Sequence, residues 1–217
     1  MTITLYQFPG ACSRVTMNAL EEIGLDFVDV PVNIRQKPGD RGDYLAINPT
    51  GKVPVLVFGD TVMKENAAIL WTLHGLHPES GLLPQATDPL AAHAYLADLV
   101  WCSGTMHPMV RQARMPQKWT TGPSEGVRED GIAKLLVEGE RIERRIGDGW
   151  WYPSGWSIVD TYIYWGFSTA AKGGFPIDRF AGLLGHAERV RARPSFQRVL
   201  AREQQAVSQL GLTDLIL

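Results

Sequence analysis

Two rhythms of apolar and polar positions run along this chain. The run Ile3-Thr4-Leu5-Tyr6-Gln7-Phe8 is β-rich and is stopped by Pro9-Gly10, which predicts a strand followed by a turn. From Ser13 onward Val15, Met17, Ala19, Leu20 and Ile23 recur at helical spacing, and Gly24 supplies a C-terminal stop. Residues 27–32 predict a second strand, parallel to the first if the helix is a crossover. Residues 33–42, with Pro38, Gly39 and Gly42, read as loop. Two further apolar runs, 53–58 and 61–63, flank Gly59-Asp60 with the spacing of a β-hairpin. A helix is expected from near Asn66 through Ile69, Leu70 and Leu73. The order is β-α-β, loop, β-β-α.

Beyond His77-Pro78 the rhythm changes. Helical spacing dominates over 90–106, 126–146, 159–171 and, with breaks, 179–210. The expected organisation is an α/β domain over 1–78 joined to an all-α domain over 89–217. No internal repeat or low-complexity tract interrupts it.

Composition adds exclusions. Across 217 residues, 45% hydrophobic and 20% charged content suffices for a packed core. The net charge is −2 with Lys and Arg scattered, which gives no footprint for nucleic acid or an anionic membrane. No apolar run approaches the roughly 20 residues of a membrane span. The N-terminal residues carry no secretory pattern, and two cysteines, Cys12 and Cys102, make no disulfide framework. These features point to the cytoplasm. His74, His77, His93 and His186 are scattered without acidic partners at ligand spacing, so no metal site is expected.

Three segments carry candidate chemistry. In Asn48-Pro49-Thr50-Gly51-Lys52-Val53-Pro54, a proline opens a strand. If the Val53–Pro54 bond is cis, the Val53 N–H and C=O are thrown outward, free to pair with an extended peptide; the alternative is a trans proline in a tight loop. In Lys64-Glu65-Asn66, Asn66 is a good helix N-cap, and the helix start suits a carboxylate while Glu65 suits an ammonium. A plain N-cap beside a solvated glutamate is the alternative. In Pro9-Gly10-Ala11-Cys12-Ser13, a thiol and a hydroxyl begin a helix whose positive end favours a thiolate, on Cys12 or on a ligand. Cys12 is otherwise a small buried hydrophobe and Ser13 an N-cap. Cys12-Ser13-Arg14-Val15 lacks the second cysteine of a dithiol motif.

In this order and spacing the three segments resemble the cytosolic glutathione transferase superfamily, and the Pro9-to-Ser13 turn looks most like the bacterial beta class. Trp156-Ser157-Ile158-Val159-Asp160 resembles the family's Ser/Thr-x-x-Asp capping box, and Arg191-Ala192-Arg193-Pro194-Ser195-Phe196 its Arg-Pro turn. The resemblance covers nearly the whole chain. It implies a thioredoxin-like N-terminal domain, an all-helical C-terminal domain, a homodimer and a cis Pro54. It further implies that Val53 pairs with the cysteinyl backbone of glutathione, that Glu65 and Asn66 hold the γ-glutamyl end, and that Lys37 and Lys52 lie near the glycine carboxylate. His107 matches the beta-class histidine at the active site. The family more often has serine at the position of Asn66, and its beta-class asparagine is replaced near Val100.

The reaction so implied is attack by the glutathione thiolate on an electrophilic carbon, with Ser13 and Cys12 as donors to the sulfur and Tyr6 ranked below them. The electrophile is expected among Phe8, Met109 and Arg111, in a stretch that Met106, Val110, Met115 and Trp119 make apolar and adaptable. Arg111 and Arg114 suit an anionic group or a developing alkoxide. Two rivals stand beside this reading: a glutathione-dependent thiol-disulfide reductase or peroxidase using Cys12, and a non-catalytic relative.

Overall fold

The computed structural model describes residues 2–215. Its strands are β1 (Ile3–Gln7), β2 (Val28–Pro31), β3 (Val55–Phe58) and β4 (Thr61–Lys64). Its helices are α1 (Ser13–Ile23), α2 (Tyr44–Ile47), α3 (Asn66–Leu76), α4 (Pro89–Trp101), α5 (His107–Arg114), α6 (Glu125–Ile146), α7 (Ile158–Ala171), α8 (Ala181–Arg191) and α9 (Pro194–Gln209). They form two compact units: residues up to Ser80 with those from Arg193 onward, and Gly81–Ala192.

The first unit is built on a sheet of order β2-β1-β3-β4. β1 and β2 are parallel, with Thr4 opposite Val28, so α1 is a crossover as expected. β1–β3 and β3–β4 are antiparallel, with Leu5 opposite Leu56 and Leu56 opposite Met63. Alternation along β1 buries Ile3, Leu5 and Gln7 and leaves Thr4 and Tyr6 half-buried on the other face. α1 is buried along most of its length, through Val15, Met17, Ala19 and Leu20, and Gly24 ends it at φ 80°. α3 adds Ile69, Leu70 and Leu73. A second cluster joins Phe8, Val32, Tyr44, Val53 and Val55 to Val207 and Leu212.

α9 packs along α1 and therefore belongs to the first unit. A boundary drawn only between residues 78 and 89 places it with the other helices instead. The single turn α2 was not foreseen, because four residues are too few to establish a period.

In the second unit, α4 passes without a break through one π turn, Cys102–Met106, into α5. The backbone N–H of His107 reaches the carbonyl of Cys102, one residue further back than in an α-helix. Asp88 caps α4, accepting from Leu90 and Ala91 N–H at 2.8 and 3.0 Å. α7 is buried nearly all round, as a central helix must be. The capping box foreseen at Ser157 and Asp160 is present, with Ser157 N–H donating to Asp160 at 2.8 Å. The same carboxylate accepts from Trp151 N–H at 2.7 Å and lies 2.9 Å from His186 Nε2.

Candidate active site

The end of β1 turns through Pro9-Gly10-Ala11 into α1, and Cys12 stands at the N-cap of that helix, half-buried. The turn is closed by Ala11 N–H donating to Phe8 C=O at 3.0 Å. The Cys12 thiol donates to the carbonyl of Val53 at 3.5 Å. The Val53–Pro54 peptide is cis, so this carbonyl faces the start of α1.

The loop before the cis bond is held by residues with no apparent chemistry in the sequence. Tyr44 Oη and Asn48 Nδ2 both donate to the Lys52 carbonyl, the latter at 2.7 Å. Arg41 donates to the carbonyls of Gly51 and Ile34 at 2.9 Å each and of Gln36 at 2.8 Å, joining the 33–42 loop to the cis-proline loop. Burial pushes the Tyr44 hydroxyl pKa up, so it stays a donor. The one sequence signal for these roles was the turn-forming run Asn48-Pro49-Thr50-Gly51 ahead of a strand.

Glu65 lies at φ 66°, a conformation rare outside glycine, and occupies the N-cap of α3 with an exposed side chain. Asn66 is therefore not the N-cap expected of it. Its buried amide bridges inward, donating to the Cys12 carbonyl at 2.9 Å and accepting from Thr16 Oγ1 at 2.6 Å. α1 and α3 thus converge on Cys12 with their N-termini, the positive ends of two helix dipoles. Such a point favours an anion, whether a carboxylate or a thiolate.

Two expected donors are engaged elsewhere. Ser13 is fully buried, and its hydroxyl lies 3.2 Å from both the N–H and C=O of Phe8. It closes the strand-to-helix turn and does not face a ligand. Tyr6 packs on Tyr44 with ring centroids 5.3 Å apart. It lines a separate cleft of about 500 Å³ with Val30, Asn33, Gln36 and Leu210. Phe8, expected to line the electrophile pocket, is 7% exposed and belongs to the second cluster of the core. An aromatic ring ending a strand is more stable buried than presented to a substrate. Lys37 and Lys52 are exposed. Among the described residues no three His, Cys, Asp or Glu side chains gather as a metal site.

Residues 10–76, which include Cys12, the cis Val53–Pro54 peptide, Glu65 and Asn66, match the glutathione S-transferase N-terminal domain family. The whole chain has relatives as well. The glutathione S-transferase GstA of Escherichia coli is 26% identical over 92% of this chain and 98% of its own. The maleylacetoacetate isomerase of Pseudomonas aeruginosa is 28% identical over 83% and 86%. A sphingomonad glutathione S-transferase, solved in complex with glutathione, superposes with a TM-score of 0.79 at 25% identity, covering 93% of this chain and 98% of that one. The chain belongs to the cytosolic glutathione transferase superfamily.

In this transferase-family chain the expected residues of the second unit fall on α5 and the π turn. His107 follows that turn directly, with Nδ1 3.3 Å from Tyr162 Oη and its ring edge-on to Trp165 at 4.4 Å. Met109 and Arg111 are half-buried on α5. Met106 is fully buried against Gly166 and is core. No helix among the described residues is long and apolar enough to cross a membrane.

Proposed function

We propose that the protein is a cytoplasmic, homodimeric enzyme that joins the thiol of glutathione to a small hydrophobic electrophile such as an epoxide or aryl halide. The observation that carries this reading is the convergence of Cys12, the cis Val53–Pro54 peptide and the two residues Glu65 and Asn66 on one point. Val53 offers backbone pairing to the cysteinyl residue, as in strand addition. Glu65 suits the γ-glutamyl ammonium, and the α3 N-terminus, through its backbone N–H groups, suits the adjoining carboxylate. Lys37 and Lys52 serve the glycine carboxylate.

A free thiol with pKa near 8.5 is only a few per cent ionised at neutral pH. Lowering it by about two units makes it mostly thiolate and is worth roughly 2.7 kcal/mol. The dipole of α1 and a donor from Cys12 are of the size required. With Ser13 engaged at Phe8, Cys12 is the donor of choice. The thiolate then forms the C–S bond while halide leaves or the epoxide C–O bond opens. Met109 and Arg111 are assigned to the electrophile, and His107 to glutathione. A conjugation screen with an aryl halide and a small epoxide tests the reading: Cys12→Ala should lower kcat/KM about tenfold or more, and a wild-type protein that neither binds glutathione by calorimetry nor conjugates it would sink it.

One observation favours a second reaction. The Cys12 thiol already sits against the Val53 carbonyl, beside the place proposed for the cysteinyl residue of glutathione. The Cys12 thiolate and glutathione can then reduce a substrate disulfide or peroxide, which takes their two electrons and leaves a Cys12–glutathione disulfide; a second glutathione attacks it, releasing Cys12 as a thiol and glutathione disulfide as product. Mass spectrometry after treatment with oxidised glutathione should find an adduct that Cys12→Ala abolishes.

A further inference from the structure

Behind the turn that carries Cys12 lies a buried ion pair that neither proposed reaction uses. Arg14, on α1, and Glu203, on α9, are 2% and 0% exposed. Arg14 Nε lies 3.1 and 3.0 Å from the two carboxylate oxygens, and Nη2 makes a further short contact to Oε2. Oε1 also accepts the backbone N–H of Gly10 at 2.9 Å. Gly10 stands at φ 75°, two residues before Cys12, in the left-handed region that turns the chain into α1.

We infer that Glu203 is a positioning residue for Cys12, fixing the Pro9-Gly10-Ala11-Cys12 turn through the Gly10 N–H. Arg14 keeps the carboxylate aimed. Stability is a poor reason for such a pair, because apolar residues of similar size in place of a buried ion pair often leave a fold as stable or more so. What apolar residues lack is an acceptor for Gly10. A backbone N–H in a tight turn needs one. Glu203 thus ties the thiol's position to the last helix. The inference rests on Cys12 being at the reacting centre.

Two double variants separate positioning from folding. Arg14→Met/Glu203→Gln removes the charges and keeps an acceptor for Gly10; Arg14→Met/Glu203→Met removes both. The first readout is the rate and pH profile of Cys12 alkylation by iodoacetamide, followed on the Cys12 peptide since Cys102 is fully buried. The second is kcat/KM for glutathione with an aryl halide. The amide variant should stay within about twofold of wild type. The methionine variant should keep its melting temperature to within a few degrees, lose about tenfold in kcat/KM and shift its alkylation profile. Equal alkylation in the two variants would overturn the inference. Should neither variant fold, amide hydrogen exchange in the wild-type protein decides: Gly10 must be protected, and exchange at the unprotected rate overturns the proposal. Alkylation and exchange need no glutathione, so a wild-type protein inactive in conjugation sinks the proposed function without touching this result.

Discussion

Cys12 is held at its carbonyl by Asn66 and reaches Val53 with its thiol, and these two contacts have different consequences when broken. Asn66→Ala removes a buried amide that serves both Cys12 and Thr16, leaving two polar groups without their partner. A loss of about 1–3 kcal/mol in urea unfolding is expected, together with a raised KM for glutathione. Tyr44→Phe acts one step further out, deleting the hydroxyl that donates to the Lys52 carbonyl while Asn48 still donates there. It should cost about 1 kcal/mol or less and raise KM two- to tenfold with kcat unchanged; an altered kcat at constant KM would contradict the loop's role in binding. The sequence shows what hydrogen bonds a residue can make but not the direction in which the fold turns it. Asn66 and Ser13 are both good capping residues, and local preference assigned them accordingly. The fold brings the Cys12 carbonyl within reach of one and the Phe8 backbone within reach of the other, and tertiary partners outcompete a cap.

Among the elements, α7 depends most on a single side chain. Asp160 serves Ser157 N–H, Ser157 Oγ, Trp151 N–H and His186 at once, all without solvent. Asp160→Ala should therefore cost about 3 kcal/mol or more, read as a lowered urea midpoint, while Ser157→Ala costs roughly 1 kcal/mol. The capping box itself was legible in Ser157-Ile158-Val159-Asp160, because it is a local pattern at fixed spacing. The two further partners come from residues 9 and 26 positions away and leave no local trace. The hairpin was legible for the same reason as the box, since its two runs flank Gly59-Asp60. Helix breaks were less so: the run 179–210 divides at Arg193-Pro194, and its two halves serve different units.

At the scale of the whole molecule, the first unit carries a titratable group that links stability to pH. Asp29 on β2 is raised to about 6 from 3.8, chiefly by burial, with Glu203 adding to the rise while Gln7 and Arg202 oppose it. The folded state holds this proton more tightly than the unfolded chain, so Asp29 favours folding below the ordinary carboxylate range. That contribution is lost as pH rises through about 6. Solvent reaches part of the group, which keeps the effect on the order of 1 kcal/mol. Asp29→Asn should match wild type in melting temperature at pH 4 and exceed it at pH 7; a gap that does not widen with pH would contradict this. Composition announced none of it, since a carboxylate in a strand reads the same whether buried or not.

The π turn at Cys102–Met106 means that the long helix from Pro89 to Arg114 contains one residue more than a regular helix needs. An insertion of that kind advances everything after it by about 100° around the axis. Deleting any one residue of the five would restore a regular ladder and make the helix locally better, yet it would swing His107, Met109 and Arg111 to another azimuth. The face that α5 shows is thus set by chain length as much as by side-chain identity, and a shortened protein could keep every named residue and still present the wrong side.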